Sequence, residues 1–269
     1  MADSTYSLTT SASSFNEGDT VITTVNTTNS PAGLKLYWGT YSSEITGDDI
    51  DINSNSSLSG SGTVGKDGTF TFSQTLANDQ STEGSEKYFL RLFVDKEKKY
   101  QLGDDLAITI LDTSKAPQET ITTESGEYLL IKEAKSFADA ITASKIYGGH
   151  LAQFETKEEA TNVWTEINKL IPSLTSSFDS TVGSDGGGAS YVWLGGTDGD
   201  TTSTQTSSTW NWKWSESSIE IAKTRTEWGT GYGGTEPDNS RGTQHRLALG
   251  LEDWSRGNPG KYGYAGEWN

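Results

Sequence analysis

The sequence predicts an N-terminal all-β sandwich followed by an α+β domain with two helices, antiparallel sheets and a long loop. Residues 6–112 contain short runs rich in Thr, Val, Ile, Tyr and Phe, interrupted by Asn, Ser, Gly and Asp, with no helical period. Residues 136–171 instead hold two segments in which apolar residues recur at helical spacing. Residues 192–232 return to strand patterns and a Gly- and Thr-rich loop.

The length of the chain predicts two domains. At 269 residues it exceeds the usual size of one domain. We place the boundary near Ala116, which gives domains 1–115 and 116–269. Residues 114–124 carry Pro117 among small and polar residues, so they predict a linker or the first irregular segment of the second domain. The Ser- and Gly-rich run 173–190 predicts an extended loop.

The charge of the chain restricts its partners. There are 37 acidic and 20 basic residues, a formal net charge of -17. An acidic surface disfavours nucleic acid and anionic membranes and favours divalent cations. The alternative is that the charge only keeps a surface protein soluble.

The chain contains no cysteine, so packing alone must hold its loops. Residues 1–6 have neither a basic start nor an apolar run, and we predict no signal peptide, membrane span or membrane insertion. We therefore expect a virion surface or an extracellular or cell-surface location, reached without a classical signal peptide. Signal-less secretion, release inside a virus particle and a trimmed leader all agree with this expectation.

The strands of the first domain are predicted at residues 21–25, 34–38, 69–72, 87–94 and 106–111. In the fourth of these, alternation places Leu90, Leu92 and Val94 on the inward face and Arg91 and Phe93 on the outward face. Such one-sided strands are typical of a two-sheet sandwich.

Acidic residues near the predicted strand ends of the first domain define a candidate ion site. The runs 15–18, 82–86 and 112–113, together with Asp79, resemble immunoglobulin-like and Calx-beta-type modules of bacterial surface proteins. This resemblance implies a calcium ion between loops, and the candidate ligands are Glu17, Asp48, Asp49, Asp79, Glu83 and Glu86. The alternative is ordinary charged loop residues in a spacer that holds the second domain away from a surface.

The second domain is predicted to open with a strand at residues 128–131 and to continue with two helices. The first helix begins after Ser136, an N-cap with Asp139 three residues on, and ends near Gly148. The second begins at Thr156, with Glu159 completing a capping box. Its core positions at helical spacing are Ala160, Val163, Trp164, Ile167, Leu170 and Ile171.

A central strand is predicted at residues 192–196, whose glycines allow close approach of neighbouring backbone. Trp210, Trp212 and Trp214 alternate along a further predicted strand and line one face. We expect this row to belong to the core, the alternative being a platform on which sugars stack. His150 is expected to be structural.

Four motifs occur in the second domain in a characteristic order: Gly-Gly-His-Leu-Ala at 148–152, Trp-Leu-Gly-Gly at 193–196, Glu-Pro-Asp-Asn at 236–239 and Trp-Asn at 268–269. This order resembles the C-type lectin-like domain, from about Gln118 to Asn269. The resemblance implies a calcium site whose ligands here are Glu236, Asp238, Gln244 and Asn269. It also implies sugar binding by Glu236, Asp238, Asn239, Gln244 and Asn269, with the vicinal hydroxyls of the sugar completing the shell of the ion.

The sequence departs from the family pattern at several of these positions. Glu-Pro-Asp matches neither the Glu-Pro-Asn of mannose-type members nor the Gln-Pro-Asp of galactose-type members, so the sugar identity stays open. Gln244 stands where an acidic ligand is usual, and no Asp follows Asn269. The family's closing strand, which pairs with the strand at 128–131, is also not in the sequence. We therefore expect a fragment of a longer product, or a strand supplied by another polypeptide.

These features predict a non-enzymatic attachment and recognition protein that binds carbohydrate with calcium and is displayed on a virion or cell surface. Its expected partners are a surface glycan or protein receptor and other structural subunits, including further copies of itself. The alternative is a structural or protein-binding component that uses the lectin-like fold without sugar or metal. An enzyme is the least favoured class, because the chain has no cysteine nucleophile, only His150 and His245 as imidazoles, and no Gly-x-Ser-x-Gly motif.

Overall fold

The computed structural model describes residues 2–51, 56–174, 182–183, 188–199, 210–239 and 242–269. Over these ranges the chain is mostly β-sheet with two helices. It divides into two compact units, Met1–Lys115 and Ala116–Asn269, here called the first and second unit. Neither described helix combines the length and the apolar character needed to cross a membrane.

The first unit is built from two sheets. The described strands are β1 (Thr5–Thr9), β2 (Ser14–Asn16), β3 (Thr20–Thr28), β4 (Lys35–Tyr41), β5 (Ser59–Thr63), β6 (Thr69–Thr75), β7 (Glu86–Phe93) and β8 (Gln101–Leu111). One sheet has the order β1-β3-β6 and the other the order β2-β8-β7-β4-β5. All of these neighbours are antiparallel except β2 and β8.

The core of the first unit lies between these sheets. Trp38 on β4 stacks on Phe72 on β6, with ring centroids 4.0 Å apart. Val21, Leu36 and Ile108 are fully buried in the same apolar cluster. The apolar faces of the two sheets therefore pack on each other as in a β-sandwich.

The predicted inward face of β7 is correct at Leu90 and Leu92 but wrong at its end. Val94 is 44% exposed, whereas Phe93, predicted to face outward, is 4% exposed. The strand ends at Phe93, and its pairing with β8 shifts register between Leu90 and Leu92. Simple alternation therefore stops before the run of apolar residues does.

The second unit combines a hairpin, two helices and a small sheet. The hairpin is β9 (Gln118–Thr123) and β10 (Gly126–Ile131), and the helices are α1 (Phe137–Ile146) and α2 (Lys157–Leu174). The sheet contains β11 (Val182–Gly183), β12 (Ala189–Thr197), β13 (Lys213–Trp214) and β14 (Arg246–Gly250). β12 is central, since it pairs with all three of the others.

The prediction of a linker or irregular segment at residues 114–124 is wrong for Gln118–Thr123, which forms β9. Its residue Ile121 is 3% exposed and belongs to the core of the second unit. β9 also pairs along one edge of β10, so the predicted strand at 128–131 has a partner on that side. A six-residue strand with a single buried apolar side chain shows no local period, which explains the error.

Both helices begin at the predicted caps. Ser136 Oγ accepts a hydrogen bond from Asp139 N (3.2 Å), and Thr156 Oγ1 accepts one from Glu159 N (3.1 Å). α1 is followed by Gly148 at φ +81°, a left-handed conformation that favours glycine. α2 buries Ala160, Val163 and Ile167 against the tryptophan-rich core.

The row Trp210, Trp212 and Trp214 belongs to the core. Trp212 and Trp214 are 1% and 4% exposed, and Trp210 is partly buried, with its Nε1 donating to Ile221 O (2.7 Å). Only Lys213–Trp214 of the predicted strand is β-structure. Trp212 and Trp214 are therefore core residues, as predicted, and their buried rings are not available for stacking of sugars.

The predicted loop at 173–190 is interrupted by regular structure. α2 extends to Leu174, β11 lies at Val182–Gly183 and β12 begins at Ala189. The rest of that prediction, at residues 175–181 and 184–187, lies outside the described residues.

Candidate functional site

The loop at 229–239 and the terminal tip at 267–269 of the second unit lie together beside β14. Gly229 N donates to Trp268 O (2.9 Å), and Glu236 N donates to Gly229 O (2.9 Å). Ala248 on β14 exchanges two backbone hydrogen bonds of 2.9 Å with Asn269. Trp268 is 1% exposed, so the tip is held against the core. Backbone hydrogen bonds thus join the loop that carries Glu236 to the segment that carries Asn269, and this segment to β14.

Glu236 combines a carboxyl group with a mostly buried position. Its peptide bond to Pro237 is cis, and its Oε2 accepts a hydrogen bond from Asp238 N (3.0 Å). Burial raises the pKa of Glu236 from 4.5 to about 7; the Asp238 N–H opposes this change, and the Asp238 carboxylate adds to it. Within the described ranges Glu236 has no ion pair, and Ser240 and Arg241 lie outside them. The raised pKa means that this position disfavours the ionised form of Glu236.

The amide residues of the predicted site form a second group. Asn239 is 7% exposed, and its Oδ1 accepts a hydrogen bond from Gln244 N (3.2 Å). Gln244 Nε2 in turn donates to Asn269 Oδ1 (3.3 Å). Among the five predicted residues, hydrogen bonds thus join Glu236 with Asp238, and Asn239 with Gln244 and Asn269.

In all five of these side chains, the atom that could bind a metal ion is an oxygen. Calcium takes six to eight oxygens at about 2.3–2.6 Å and accepts carboxylates, amide carbonyls and water together. A carboxyl group whose pKa is raised by burial is also one that a nearby cation would return to its ionised form. The donor chemistry thus suits calcium, with less negative charge than four acidic ligands would provide.

One contact at this site was missed by sequence reasoning, which weighed His245 only as a catalytic base. His245 Nδ1 lies 3.1 Å from Asp198 Oδ1, and Nε2 lies 3.0 Å from Gly242 O. Asp198 is 1% exposed and directly follows β12. The pair fastens the turn that carries Gln244 to the central strand. A buried acid after a strand and a histidine after the Glu-Pro-Asp-Asn loop were visible in the sequence, but not their proximity.

A second candidate site lies in the first unit. Asp49, Glu83 and Glu86 each offer an oxygen within 4.8 Å of the others. Burial raises the pKa of Glu86 to about 8, with further contributions from a hydrogen bond to Asp49 and from the charges of Asp49, Glu83 and Glu44. Oxygens on one calcium ion lie up to about 5 Å apart, twice the metal–oxygen distance, so this spacing is compatible with an ion.

The other three predicted acids of the first unit are not part of this group. Glu17 Oε2 accepts from Thr113 N (3.1 Å) and Ser114 N (2.7 Å), and Asp79 Oδ1 accepts from Ser81 N (2.7 Å). Asp48 likewise lies outside the group.

Asp112 was not among the predicted ligands, although it adjoins the acidic group of the first unit. Its Oδ2 accepts from Glu83 N (3.2 Å) and Gly84 N (2.9 Å). Its Oδ1 is enclosed and has no hydrogen-bond partner among the described atoms. The sequence placed Asp112 at a strand end, and only the fold brings it beside Glu83.

Comparison with known proteins identifies no relative of this chain by sequence. No family model matches it. No curated protein matches it either.

Among solved structures, two of the human F-spondin reeler domain align at TM-scores of 0.26 and 0.24 with 10% and 9% identity. They cover 40% and 42% of this chain and 89% and 93% of their own. A marsupial T cell receptor aligns at 0.23 with 10% identity, covering 46% of this chain and 63% of its own. Scores this low carry no conclusion about fold or function.

Proposed function

We propose that this chain is a non-enzymatic recognition protein whose second unit is a C-type lectin-like domain that binds carbohydrate with the help of calcium. The first unit is an immunoglobulin-like or Calx-beta-like module that presents it on a virion or cell surface. The proposal rests chiefly on Glu236, a mostly buried carboxyl group beside the Asp238 carboxylate, whose pKa is raised to about 7. Such a pair is costly to ionise unless a cation compensates it.

The side chains around Glu236 suit recognition rather than catalysis. Glu236 and Asp238 supply charge, while Asn239, Gln244 and Asn269 supply neutral oxygens from a hydrogen-bonded group. A bound calcium would supply open coordination positions for two vicinal hydroxyls of a sugar. Single sites of this kind are shallow, so useful attachment needs several copies in one assembly. The proposed partners are therefore a surface glycan or receptor and other structural subunits, including further copies of this chain.

The test is carbohydrate binding by the intact chain in millimolar calcium and in chelator, using a glycan array and calorimetry. We expect binding that chelation abolishes and that Glu236→Gln abolishes without loss of folding. Glu158→Gln, a change at an exposed position on α2, is the matched control and should bind as the wild type does. Calcium-independent binding, or unaltered binding by the Glu236 variant, would contradict the calcium part of the proposal.

A second candidate function is a structural or protein-binding component without sugar or metal. It is favoured by the hydrogen bonds from Gln244 to Asn239 and Asn269, which already engage the neutral oxygens of the site. In that case calcium and chelator should give the same thermal stability, because only a ligand that binds the folded state raises it.

A further inference from the structure

Two loops next to Glu236 run side by side and are joined through their backbones. They span residues 229–234 and 260–264. Gly231 N donates to Tyr262 O (3.2 Å), Tyr232 N to Gly260 O (3.3 Å) and Gly233 N to Lys261 O (2.6 Å). The two loops therefore form one irregular two-stranded ribbon and are not separate loops.

This close approach depends on glycine. A Cβ at Gly231 would overlap the carbonyl of Lys261, and one at Gly233 would lie 2.7 Å from Lys261 Cγ. At Gly229 a Cβ would lie 2.7 Å from Trp254 Cζ2 and 3.0 Å from Glu236 Cγ. The spacing of the loops is thus set by backbone contact, and the first loop packs directly on the Glu236 side chain.

Glu267 fastens both loops at their base. Its carboxylate accepts hydrogen bonds from Thr230 N (3.0 Å), Thr230 Oγ1 (2.7 Å) and Tyr264 N (2.9 Å). Trp254, which is 1% exposed, donates its backbone N–H to Gly263 O (3.0 Å), and its carbonyl accepts from Tyr262 N (3.0 Å). The loops are therefore held in one arrangement before any ligand arrives, which lowers the entropic cost of binding.

The side chains that this support displays are aromatic. Tyr232 is 72% exposed and Tyr264 is 45% exposed. Lys261 also lies on these paired loops, and its Nζ is 4.8 Å from the ring centroid of Tyr262. The pKa of Lys261 is raised, mainly by its hydrogen bond to Tyr262 and to a smaller extent by the Tyr232 phenol. Aromatic rings displayed on a preorganised base are suited to contact with a ligand.

We propose that Tyr232, Tyr264 and Lys261 form a second carbohydrate contact, the tyrosine platform, which receives a further sugar ring of an oligosaccharide held at the Glu236 loop. This rests on the proposed carbohydrate binding by the same unit. The apolar C–H face of a pyranose packs on a phenol ring, while the phenol hydroxyl and the lysine ammonium bind its hydroxyls. Continuity with the Glu236 loop favours one glycan spanning both contacts.

The test compares monosaccharides with oligosaccharides of the same series, mannose with mannopentaose and galactose with galactotetraose, by calorimetry in calcium and in chelator. We expect the recognised oligosaccharide to bind roughly tenfold more tightly than its monosaccharide. Tyr232→Ala with Tyr264→Ala should remove this gain and leave monosaccharide and calcium affinities unchanged. The paired Tyr→Phe changes should keep most of it. Tyr100→Ala, at a 69% exposed tyrosine of the first unit, is the matched control.

The outcomes separate the platform from the calcium site. Alanine variants that keep the oligosaccharide gain, or that lose both ligands equally, overturn the platform. Oligosaccharide binding that persists in chelator but still needs the tyrosines supports the platform and overturns the calcium site. Calcium-dependent oligosaccharide binding that does not need the tyrosines supports the calcium site and overturns the platform. A wild-type chain that binds neither these two series nor any ligand of the glycan array contradicts both.

Discussion

The Glu236 carboxyl group makes the stability of the second unit depend on pH when calcium is absent. Its pKa rises from 4.5 to about 7 on folding, so the folded state holds a proton that the unfolded state releases. Its contribution to stability is present below pH 4.5 and is lost as the pH rises through about 7. The loss is on the order of 3 kcal/mol, from about 1.4 kcal/mol per pKa unit.

The first prediction is that Glu236→Gln removes this loss. In chelator, the variant should be more stable than the wild type at pH 8 and differ little from it at pH 5. Urea unfolding followed by tryptophan fluorescence measures this, because eight of the nine tryptophans lie in the second unit. Equal pH dependence of the two proteins would show that Glu236 is not the group responsible.

Glu86 gives the second prediction, for the first unit. Its pKa is raised to about 8, mainly by burial and then by Asp49, so its contribution to stability also falls as the pH rises from about 4.5 to 8. In chelator, Glu86→Gln should slow hydrogen exchange of β7 amides at pH 9, and Glu97→Gln, at an exposed site, should not. An unchanged exchange rate in the Glu86 variant would argue against repulsion between Glu86 and its neighbouring carboxylates at high pH.

At the scale of elements, β9 shows how a strand can form without a local pattern. Its hairpin with β10 runs in register from Thr123 opposite Gly126 to Gln118 opposite Ile131. Cross-strand hydrogen bonds and the burial of Ile121 stabilise it, and neither is visible as a period in six residues. The helices differ, because the caps of both and the apolar stripe of α2 are local and were predicted.

The third prediction concerns this strand. Ile121→Ala should destabilise the second unit by about 2–4 kcal/mol, since it leaves a cavity in a close-packed core. Thr122→Ala, on the exposed face of the same strand, should change the free energy of unfolding by less than about 0.5 kcal/mol. Urea unfolding of both variants decides the matter; similar small effects would mean that β9 is not part of the folded core.

At the scale of the whole molecule, each unit carries its own group of oxygen donors. Asp49, Glu83 and Glu86 lie in the first unit, and Glu236 and its neighbours lie in the second. The net charge of -17 favours cation binding in general, so stoichiometry is more informative than affinity.

The fourth prediction is therefore a count of ions. Calorimetry of the intact chain should show two calcium ions, with Glu236→Gln and Glu86→Gln each removing one and the double variant removing both. Carbohydrate binding should be lost only with Glu236→Gln. A single ion that either substitution removes would contradict two separate sites.

The sequence by itself determined the features that depend on neighbours along the chain. The caps at Ser136 and Thr156, the Gly148 turn and the apolar stripe of α2 all follow from side chains three or four residues apart. The strand at Gln118–Thr123 and the outward turn of Val94 did not follow, because they depend on partner strands and on where pairing ends.

The tertiary structure alone decided which donors meet. It selected Asp49, Glu83 and Glu86 from six candidate acids, placed Asp112 beside them, and buried Glu236 against the loop at 229–234. The physical reason is that burial and nearby like charges change the pKa of a carboxyl group. Both depend on where the residue lies in three dimensions and not on its position along the chain.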